Sequence, residues 1–326
     1  MEKRMKKKFR KIKATIFIVI PFLMLFSIPE MSQAVKGTFL YSLSDFTGTI
    51  SYNWVRLFVD EEKNEVFVID TSKGSVRIFN ENGMEIYQFG EDRDLGMIYD
   101  GAAGKDGSLF LLSLKFENNL QKHSILRCNF RGEPVARIDL KNLPREFSNF
   151  LPDRLAYRKG RLYLADLNEM KVVVADEEGS VERVYDIASL LGLSKKQRDD
   201  SGITGFSVDG KGNVLFTIPV FAQAYRVSPD GKIVSFGQPG GAPGRFNVVG
   251  GIVSDSRGNF IIADRLKCAV MVFDRDFNFL AEFGYRGYRP GNLIAPDDLA
   301  LDSQGRLYVT QGGGRGVTVY RLTYVD

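Results

Sequence analysis

A unit of about 45 residues recurs along this chain, and this repetition limits the possible folds more than any other feature. One copy, GNFIIADRLKCAVMVFDRDFNFLAEFG, begins at Gly258. Related copies begin at Asn64, Gly107, Gly160, Gly212 and Gly305. In the copy from Gly258, apolar residues alternate along three short runs that end in turn residues such as Asp264 and Asp274, because Asp side chains close turns by bonding to nearby backbone. The pattern predicts a meander of β-strands that repeats around a propeller or along a solenoid.

The two ends of the repeat array predict how it closes. A short apolar strand precedes each copy, which makes four strands in each of six units. The last unit ends after its third strand, and residues 38–43 (TFLYSL) resemble a fourth strand. Because a closed ring leaves no unpaired sheet edge, we predict an all-β fold, a six-bladed β-propeller of four-stranded antiparallel blades whose last blade is closed by an N-terminal strand. Residues 35–326 are expected to form this single domain.

Short motifs recur at the strand ends. Blade five has Ala263-Asp264 after its second strand, Phe283-Gly284 after its fourth, and then a Gly-rich run. These motifs resemble the NHL repeat, and the resemblance implies a six-bladed propeller of the exported bacterial type, although such a likeness specifies fold better than function. Three blades depart from the NHL pattern, and their hairpins are expected to differ in shape. The residues that replace its Asp there are Ser113, Ile218 and Gln311.

The first 34 residues differ from the repeats. MEKRMKKKFRKIK carries eight basic residues, an apolar run of 16 follows at residues 14–29, and Ser32-Gln33-Ala34 resembles a cleavage site. This order is typical of a secretory signal peptide, since a membrane span usually needs about 20 apolar residues. We therefore predict an exported protein, periplasmic or extracellular, with residues 1–34 cleaved. The alternative is an uncleaved anchor, in which residues 14–29 hold the protein at the membrane.

Charge and the metal-binding residue types exclude several function classes. The whole chain has 44 basic and 40 acidic residues. Residues 1–34 contain eight of the basic and two of the acidic residues, so the rest of the chain has 36 basic and 38 acidic residues. It therefore lacks the basic excess of a nucleic-acid-binding protein. One histidine, His123, and two cysteines are too few for a zinc cluster or a c-type haem. We expect no cofactor, with calcium as the open alternative.

Acidic residues lie where the innermost strands are expected to begin. Because these strands surround the central channel, we expect five residues at its mouth, namely Asp100, Asp153, Arg154, Asp297 and Asp298. Calcium takes about six to eight oxygen ligands, and six-bladed calcium-dependent lactonases are similar in this respect. The weak calcium alternative rests on Asp153 and Asp297, while Arg154 reduces the number of ligands. The sequence indicates no catalytic residue.

The same end of the ring, the top face, carries aromatic and basic residues at strand starts and in hairpins. These are Trp54, Phe116, Phe221, Arg265, Lys267 and Arg315. Aromatic residues and arginine are enriched at protein interfaces. The leading hypothesis is an exported non-catalytic propeller that binds a protein, peptide or glycan of the cell envelope through this face, as a monomer or as a subunit of a complex. A calcium-dependent hydrolase or lyase and a structural subunit of an envelope complex are the alternatives.

Overall fold

The computed structural model describes residues 35–45, 48–49, 55–90, 95–117 and 120–325. These residues form six four-stranded antiparallel sheets and one two-stranded ribbon, so the predicted all-β six-bladed propeller is confirmed. The segment interpreted as a signal peptide lies outside the described residues. Within the described ranges, no helix has the length and apolar character needed to cross a membrane.

Five blades are each built from four consecutive strands. The chain starts with β1 (Val35–Ser42) and the ribbon β2 (Ser44–Asp45) and β3 (Gly48–Thr49). Blade one contains β4 (Arg56–Asp60), β5 (Glu65–Asp70), β6 (Ser75–Phe79) and β7 (Glu85–Phe89). Blade two contains β8 (Met97–Ala103), β9 (Leu109–Glu117), β10 (Leu120–Cys128) and β11 (Pro134–Ile138). Blade three contains β12 (Arg154–Arg158), β13 (Arg161–Asp166), β14 (Lys171–Asp176) and β15 (Val181–Asp186).

The remaining blades follow the same order. Blade four contains β16 (Phe206–Val208), β17 (Val214–Ile218), β18 (Gln223–Val227) and β19 (Ile233–Phe236). Blade five contains β20 (Val249–Ser254), β21 (Phe260–Asp264), β22 (Ala269–Phe273) and β23 (Phe279–Phe283). Blade six contains β24 (Pro296–Leu301), β25 (Arg306–Gln311) and β26 (Val317–Tyr324).

Blade six is completed by the N-terminal strand. Strand β1 pairs antiparallel with β26, from Val35 opposite Tyr324 to Ser42 opposite Thr318. Val35 is buried in the core between blades five and six. The predicted closure is therefore confirmed, and the closing strand begins three residues before the expected residues 38–43 and ends one residue before their end.

The six first strands line the centre of the ring. Each contacts the first strand of the next blade, and β24 contacts β4. We call the face with the hairpins between second and third strands, and with the connections between blades, the top face. The opposite face, which carries the hairpins between first and second strands, is the bottom face.

Aspartates close the hairpins between first and second strands. Asp255 Oδ1 accepts hydrogen bonds from the backbone N–H groups of Arg257 and Asn259, at 2.9 and 2.8 Å. Asp209 bonds to Lys211 and Asn213 in the same way. Asp302 in blade six bonds to Gln304 and Arg306 in the same way. An Asp that satisfies two backbone donors fixes a tight turn, so this Asp sets the register of the first two strands in blades four, five and six.

The Phe-Gly motifs after fourth strands adopt a shared geometry. After Phe236-Gly237, the N–H of Phe246 donates to the carbonyl of Gln238 at 2.8 Å, and after Phe283-Gly284 the N–H of Leu293 donates to Tyr285 at 2.9 Å. Gly237 and Gly284 both have positive φ values, of 97° and 116°, which a residue with a Cβ adopts poorly. The two connections are thus equivalent pieces of the repeat.

Core side chains fill the spaces between neighbouring blades. Between blades four and five, Phe236 packs against four other rings at centroid distances of 4.6 to 6.4 Å. These rings belong to Phe246, Phe260, Phe273 and Phe277. Ring contacts of this kind add to the free energy of burial, so they hold adjacent blades together.

The connection between blades three and four contains the described α-helices. They are α1 (Ile187–Leu190) and α2 (Lys195–Asp199). The charged stretch after Ser194 forms α2, because Ser194 and Gln197 make a capping box at its start. Short 3-10 turns occupy Lys105–Gly107, Arg145–Phe147 and Pro219–Phe221.

Candidate functional site

A buried guanidinium lies at the centre of the channel. Arg154, the first residue of β12, donates from Nε to Asp100 Oδ2 at 3.0 Å. Its Nη2 lies 3.0 and 3.2 Å from the two carboxylate oxygens of Asp298. All three side chains are buried. Blades two, three and six are therefore joined across the channel by charge-assisted hydrogen bonds, which are among the strongest in proteins.

A second pair of acids and arginines lies beside this centre. Arg265, in the hairpin between β21 and β22, donates from Nε to Asp297 Oδ1 at 2.8 Å. Arg56 Nη1 lies 3.8 Å from Asp297 and 3.9 Å from Asp298. Sequence reasoning placed Arg265 on a separate partner surface, whereas the structure joins it to the channel.

The acidic mouth is consequently neutralised. Asp100, Asp297 and Asp298 each contact at least one guanidinium from Arg56, Arg154 or Arg265. The mutual repulsion expected from an acidic ring is therefore largely cancelled by three positive charges. Asp153 is different, because its Oδ2 accepts the backbone N–H of Leu167 at 3.0 Å.

Burial raises the pKa of two of these carboxyl groups. Desolvation raises the pKa of Asp100, and the neighbouring Arg154 guanidinium opposes that shift. Burial also raises the pKa of Asp153, against the hydrogen bond that it accepts from Leu167. The two carboxyl groups thus differ in what opposes the raised pKa: chiefly a guanidinium for Asp100 and chiefly a backbone hydrogen bond for Asp153.

This arrangement does not fit a calcium site. Bound calcium would need several free carboxylate oxygens, and the oxygens of Asp100, Asp297 and Asp298 face arginines. Among the described residues, no group of three or more His, Cys, Asp or Glu side chains could hold a metal ion.

Sequence reasoning missed Arg56, although the repeat held a signal for it. Arg56 lies opposite Ile69, the residue before Asp70, and Arg154 lies opposite Ala165, the residue before Asp166. The two arginines therefore occupy equivalent positions in blades one and three. An alignment of the Arg-Leu pairs that begin β4 and β12 would have placed both at the channel.

The Asp of the NHL pattern has a structural role. Asp264 Oδ2 accepts the N–H of Asn247 at 2.6 Å, and Asp166 Oδ2 accepts that of Leu151 at 3.1 Å. In blade six, Gln311 Oε1 accepts the N–H of Ile294 at 2.8 Å. These bonds fix the backbone just before each first strand. Gln311 thus makes the same kind of hydrogen bond as the Asp that it replaces. The hairpin of blade six still differs in shape, as expected, because six residues separate the paired Thr310 and Val317, whereas four separate Asp166 and Lys171.

The channel contains two separate cavities. A chamber of about 720 Å³ is lined by all six first strands and has Arg154 in its wall. It opens at the bottom face, where Glu61, Lys105 and Lys159 lie at its rim. A smaller cavity of about 310 Å³ lies at the top face, between Asp153 and Asn168. No residue lines both cavities, and Arg154 with its partners lies at the deep end of the larger one.

The remaining predicted partner residues lie in different environments. Phe116 is exposed, and Phe221 is half-buried against the core between blades three and four. Lys267 Nζ lies 2.6 Å from Glu282 Oε2, so its charge is satisfied. Arg315 lies over the ring of Tyr288, with Cζ 5.7 Å from the centroid. Trp54 lies outside the described residues.

Comparisons with known proteins show the fold. No protein-family model matches the chain, and no curated protein matches it. A solved protein of unknown function from Bacteroides thetaiotaomicron has a TM-score of 0.64 and 15% identity, over 89% of this chain and 76% of that chain. An auxiliary nutrient binding protein from Bacteroides ovatus has a TM-score of 0.58 and 14% identity, over 89% of this chain and 76% of that chain.

An enzyme is also among the similar structures. Virginiamycin B lyase from Staphylococcus aureus has a TM-score of 0.58 and 11% identity, over 89% of this chain and all (100%) of that chain. At such identities the likeness concerns the propeller fold alone, since one fold hosts many functions. The chain is therefore similar in architecture to binding proteins and to enzymes.

Proposed function

We propose that this protein is an exported, non-catalytic propeller of the NHL type that binds a protein or peptide through its top face. The observation that carries the proposal is the distribution of exposed apolar side chains. Nine of them lie at the top face. These are Met97, Phe116, Leu120, Leu151, Leu190, Val220, Leu266, Tyr285 and Tyr288. The bottom face, which also carries the hairpins between third and fourth strands, has Met84, Phe130 and Val325, and such an imbalance is typical of an interaction surface.

The channel chemistry favours binding over catalysis. The alternative, a calcium-dependent hydrolase or lyase, would need free carboxylate oxygens to hold the ion, but Asp100 and Asp298 are engaged by Arg154. Breaking such a buried pair is costly, because it leaves a charge without a partner. The acids therefore serve to hold blades together.

Two further observations support the repeat type and the location. The equivalent Phe-Gly connections after β19 and β23 agree with the NHL pattern. The basic, apolar and small-residue order of residues 1–34 supports export. Similarity to an auxiliary nutrient binding protein is compatible with a binding role for this fold.

The test is loss of partner capture on removal of the most exposed top-face rings. Tyr285 and Tyr288 are 62% and 74% exposed, so a Tyr285→Ala/Tyr288→Ala variant should fold like the wild type. Cross-linking in the native cell envelope, followed by mass spectrometry, should recover a partner with the wild type and lose it with this variant. The control is Ile86→Ala/Phe130→Ala, which removes apolar side chains that are 50% and 55% exposed in blades one and two and should retain the partner. Equal recovery from all three proteins would contradict the proposal.

A further inference from the structure

Four loops at the top of blades four to six form one continuous surface, which we call the basic strip. It consists of residues 237–248, 265–268, 284–295 and 312–316. Lys267 Nζ donates to the carbonyls of Ala242 and Arg245, at 3.1 and 3.3 Å, and so ties the first loop to the second. Arg286 Nη2 donates to the carbonyl of Leu266 at 3.2 Å and ties the second to the third.

The fourth loop is fixed in the same manner. Arg315 Nη1 donates to the carbonyl of Tyr288 at 3.1 Å, and the N–H of Gly312 donates to the carbonyl of Ile294 at 3.1 Å. Because each loop bonds to its neighbour, the surface is ordered before any partner arrives. A preordered surface loses less conformational entropy on binding.

The basic strip carries an excess of positive charge. Its four segments contain six basic residues and neither Asp nor Glu. Arg265 and Lys267 are neutralised by Asp297 and Glu282. The other four take part in no ion pair with any residue that the structure describes, and they are Arg245, Arg286, Arg289 and Arg315.

Apolar side chains lie between these arginines along the chain. Tyr285 and Tyr288 alternate with Arg286 and Arg289, and Leu266, 56% exposed, lies next to Arg286 through the hydrogen bond to its carbonyl. Aromatic side chains and arginine are the residue types that dominate binding energy at interfaces. Guanidinium groups recognise carboxylates through paired N–H···O bonds.

We propose that the basic strip binds an acidic segment of a partner protein, in which carboxylates alternate with aromatic or aliphatic side chains. The carboxylates pair with the four arginines, and the apolar side chains pack on Tyr285, Tyr288 and Leu266. This inference rests on the proposed function and adds the chemistry of the partner. It also assigns the partner to one half of the top face, away from Phe116 in blade two.

The test uses defined polymers in place of the partner. Fluorescence anisotropy should detect binding of a labelled Glu–Tyr copolymer to the wild type, and a Lys–Tyr copolymer should not bind. Raising the salt concentration should weaken the binding, because exposed charges are screened. Polygalacturonate, an acidic polymer without apolar side chains, should bind more weakly than the Glu–Tyr copolymer.

Charge-matched variants locate the site. Arg286→Gln/Arg289→Gln should lower the affinity for the Glu–Tyr copolymer about fivefold, as expected for the loss of two exposed ion pairs. Arg275→Gln/Arg321→Gln changes the net charge equally at exposed positions outside the strip and should leave the affinity unchanged. Equal weakening by both variants, binding of the Lys–Tyr copolymer, or tighter binding of polygalacturonate would overturn the inference.

Failure of the inference can be told apart from failure of the proposed function. If the envelope partner is lost with Tyr285→Ala/Tyr288→Ala but kept with Arg286→Gln/Arg289→Gln, the function stands and the acidic partner class is wrong. If the copolymer results hold but the tyrosine variant retains the envelope partner, the basic strip binds acidic segments and the proposed function is wrong. Loss of the envelope partner with both variants supports the two together.

Discussion

Arg154 on blade three donates two hydrogen bonds to Asp298 on blade six, the blade directly opposite in the ring. The same guanidinium bonds to Asp100 on blade two. One side chain therefore links three blades whose residues lie 54 and 144 positions away in sequence. Hydrogen bonds inside the channel therefore stabilise the ring, in addition to its closure by β1.

Loss of this guanidinium should be strongly destabilising. Arg154→Met leaves Asp100 and Asp298 buried without their main counter-charge, and removing one partner of a buried pair costs about 3–5 kcal/mol. We expect a fall of that size in the free energy of unfolding, measured by urea titration. Arg158→Met is the control, because its ion pair with Glu61 is partly exposed and such pairs contribute about 0–1 kcal/mol. Similar losses in the two variants would show that the Arg154 network does not brace the ring.

Asp153 should destabilise the protein when it is ionised. Its pKa is raised by burial, so its contribution to stability is full below the unfolded value of about 3.9 and is lost as pH rises through the folded value. We therefore expect Asp153→Asn to equal or exceed the wild type in stability at neutral pH. The two proteins should converge below about pH 4, where both side chains are neutral. If Asp153→Asn were less stable than the wild type at neutral pH, the expected destabilising effect of the ionised carboxylate would be contradicted.

Asp297→Asn should have the opposite effect. Asp297 is buried and accepts from Arg265 Nε at 2.8 Å, and a hydrogen bond between charged groups is worth about 1.5–3 kcal/mol. We expect a loss in that range by urea titration at neutral pH. From the sequence alone, Asp153 and Asp297 were treated as equivalent acids. A change in the free energy of unfolding that has opposite signs in the two variants therefore tests the structure directly. Equal effects would mean that Arg265 does not pair with Asp297 in solution.

Closure by β1 can be tested with one glycine. A Cβ on Gly37 would lie 2.5 Å from the ring of Phe283, so Gly37→Val should push β1 away from blade five and lower the melting temperature. Deletion of residues 35–45 should have a larger effect and promote aggregation, because it exposes β26 as an open edge. Gly241→Val is the control, since a Cβ there meets nothing within 4 Å. A melting temperature unchanged by the deletion would rule out the closure.

Calcium should not stabilise the protein. A bound ion at 100 times its dissociation constant would add about 2.7 kcal/mol, whereas the channel carboxylates already face arginines. We expect the same melting temperature in excess calcium and in a calcium chelator. A calcium-dependent rise that disappears in Asp153→Asn/Asp297→Asn would restore the calcium-dependent hydrolase as the leading hypothesis.

Much of the fold could be predicted because its causes are local. Asp255 and Asp209 close turns by bonding to backbone two and four residues away, and strands are marked by alternation over a few residues. These signals recur at a fixed spacing, so the number of blades followed from counting them. The closing strand was found from the strand missing at the other end. The helix α2 was not predicted, because its capping box is a weak signal in a charged segment.

The sequence by itself determined the blades, their order and their closure, since turn chemistry and strand periodicity act within a few residues. Only the tertiary structure decided the partners of the channel residues. Arg154 bonds to Asp298 and Arg265 bonds to Asp297 because ring closure arranges the blades around a common axis. Each arginine side chain is then long enough to contact a carboxylate of another blade. The same geometry gathered four separate glycine-rich or hairpin segments into the basic strip. Contacts of this kind depend on distances across the whole ring, and no local pattern in the sequence records them.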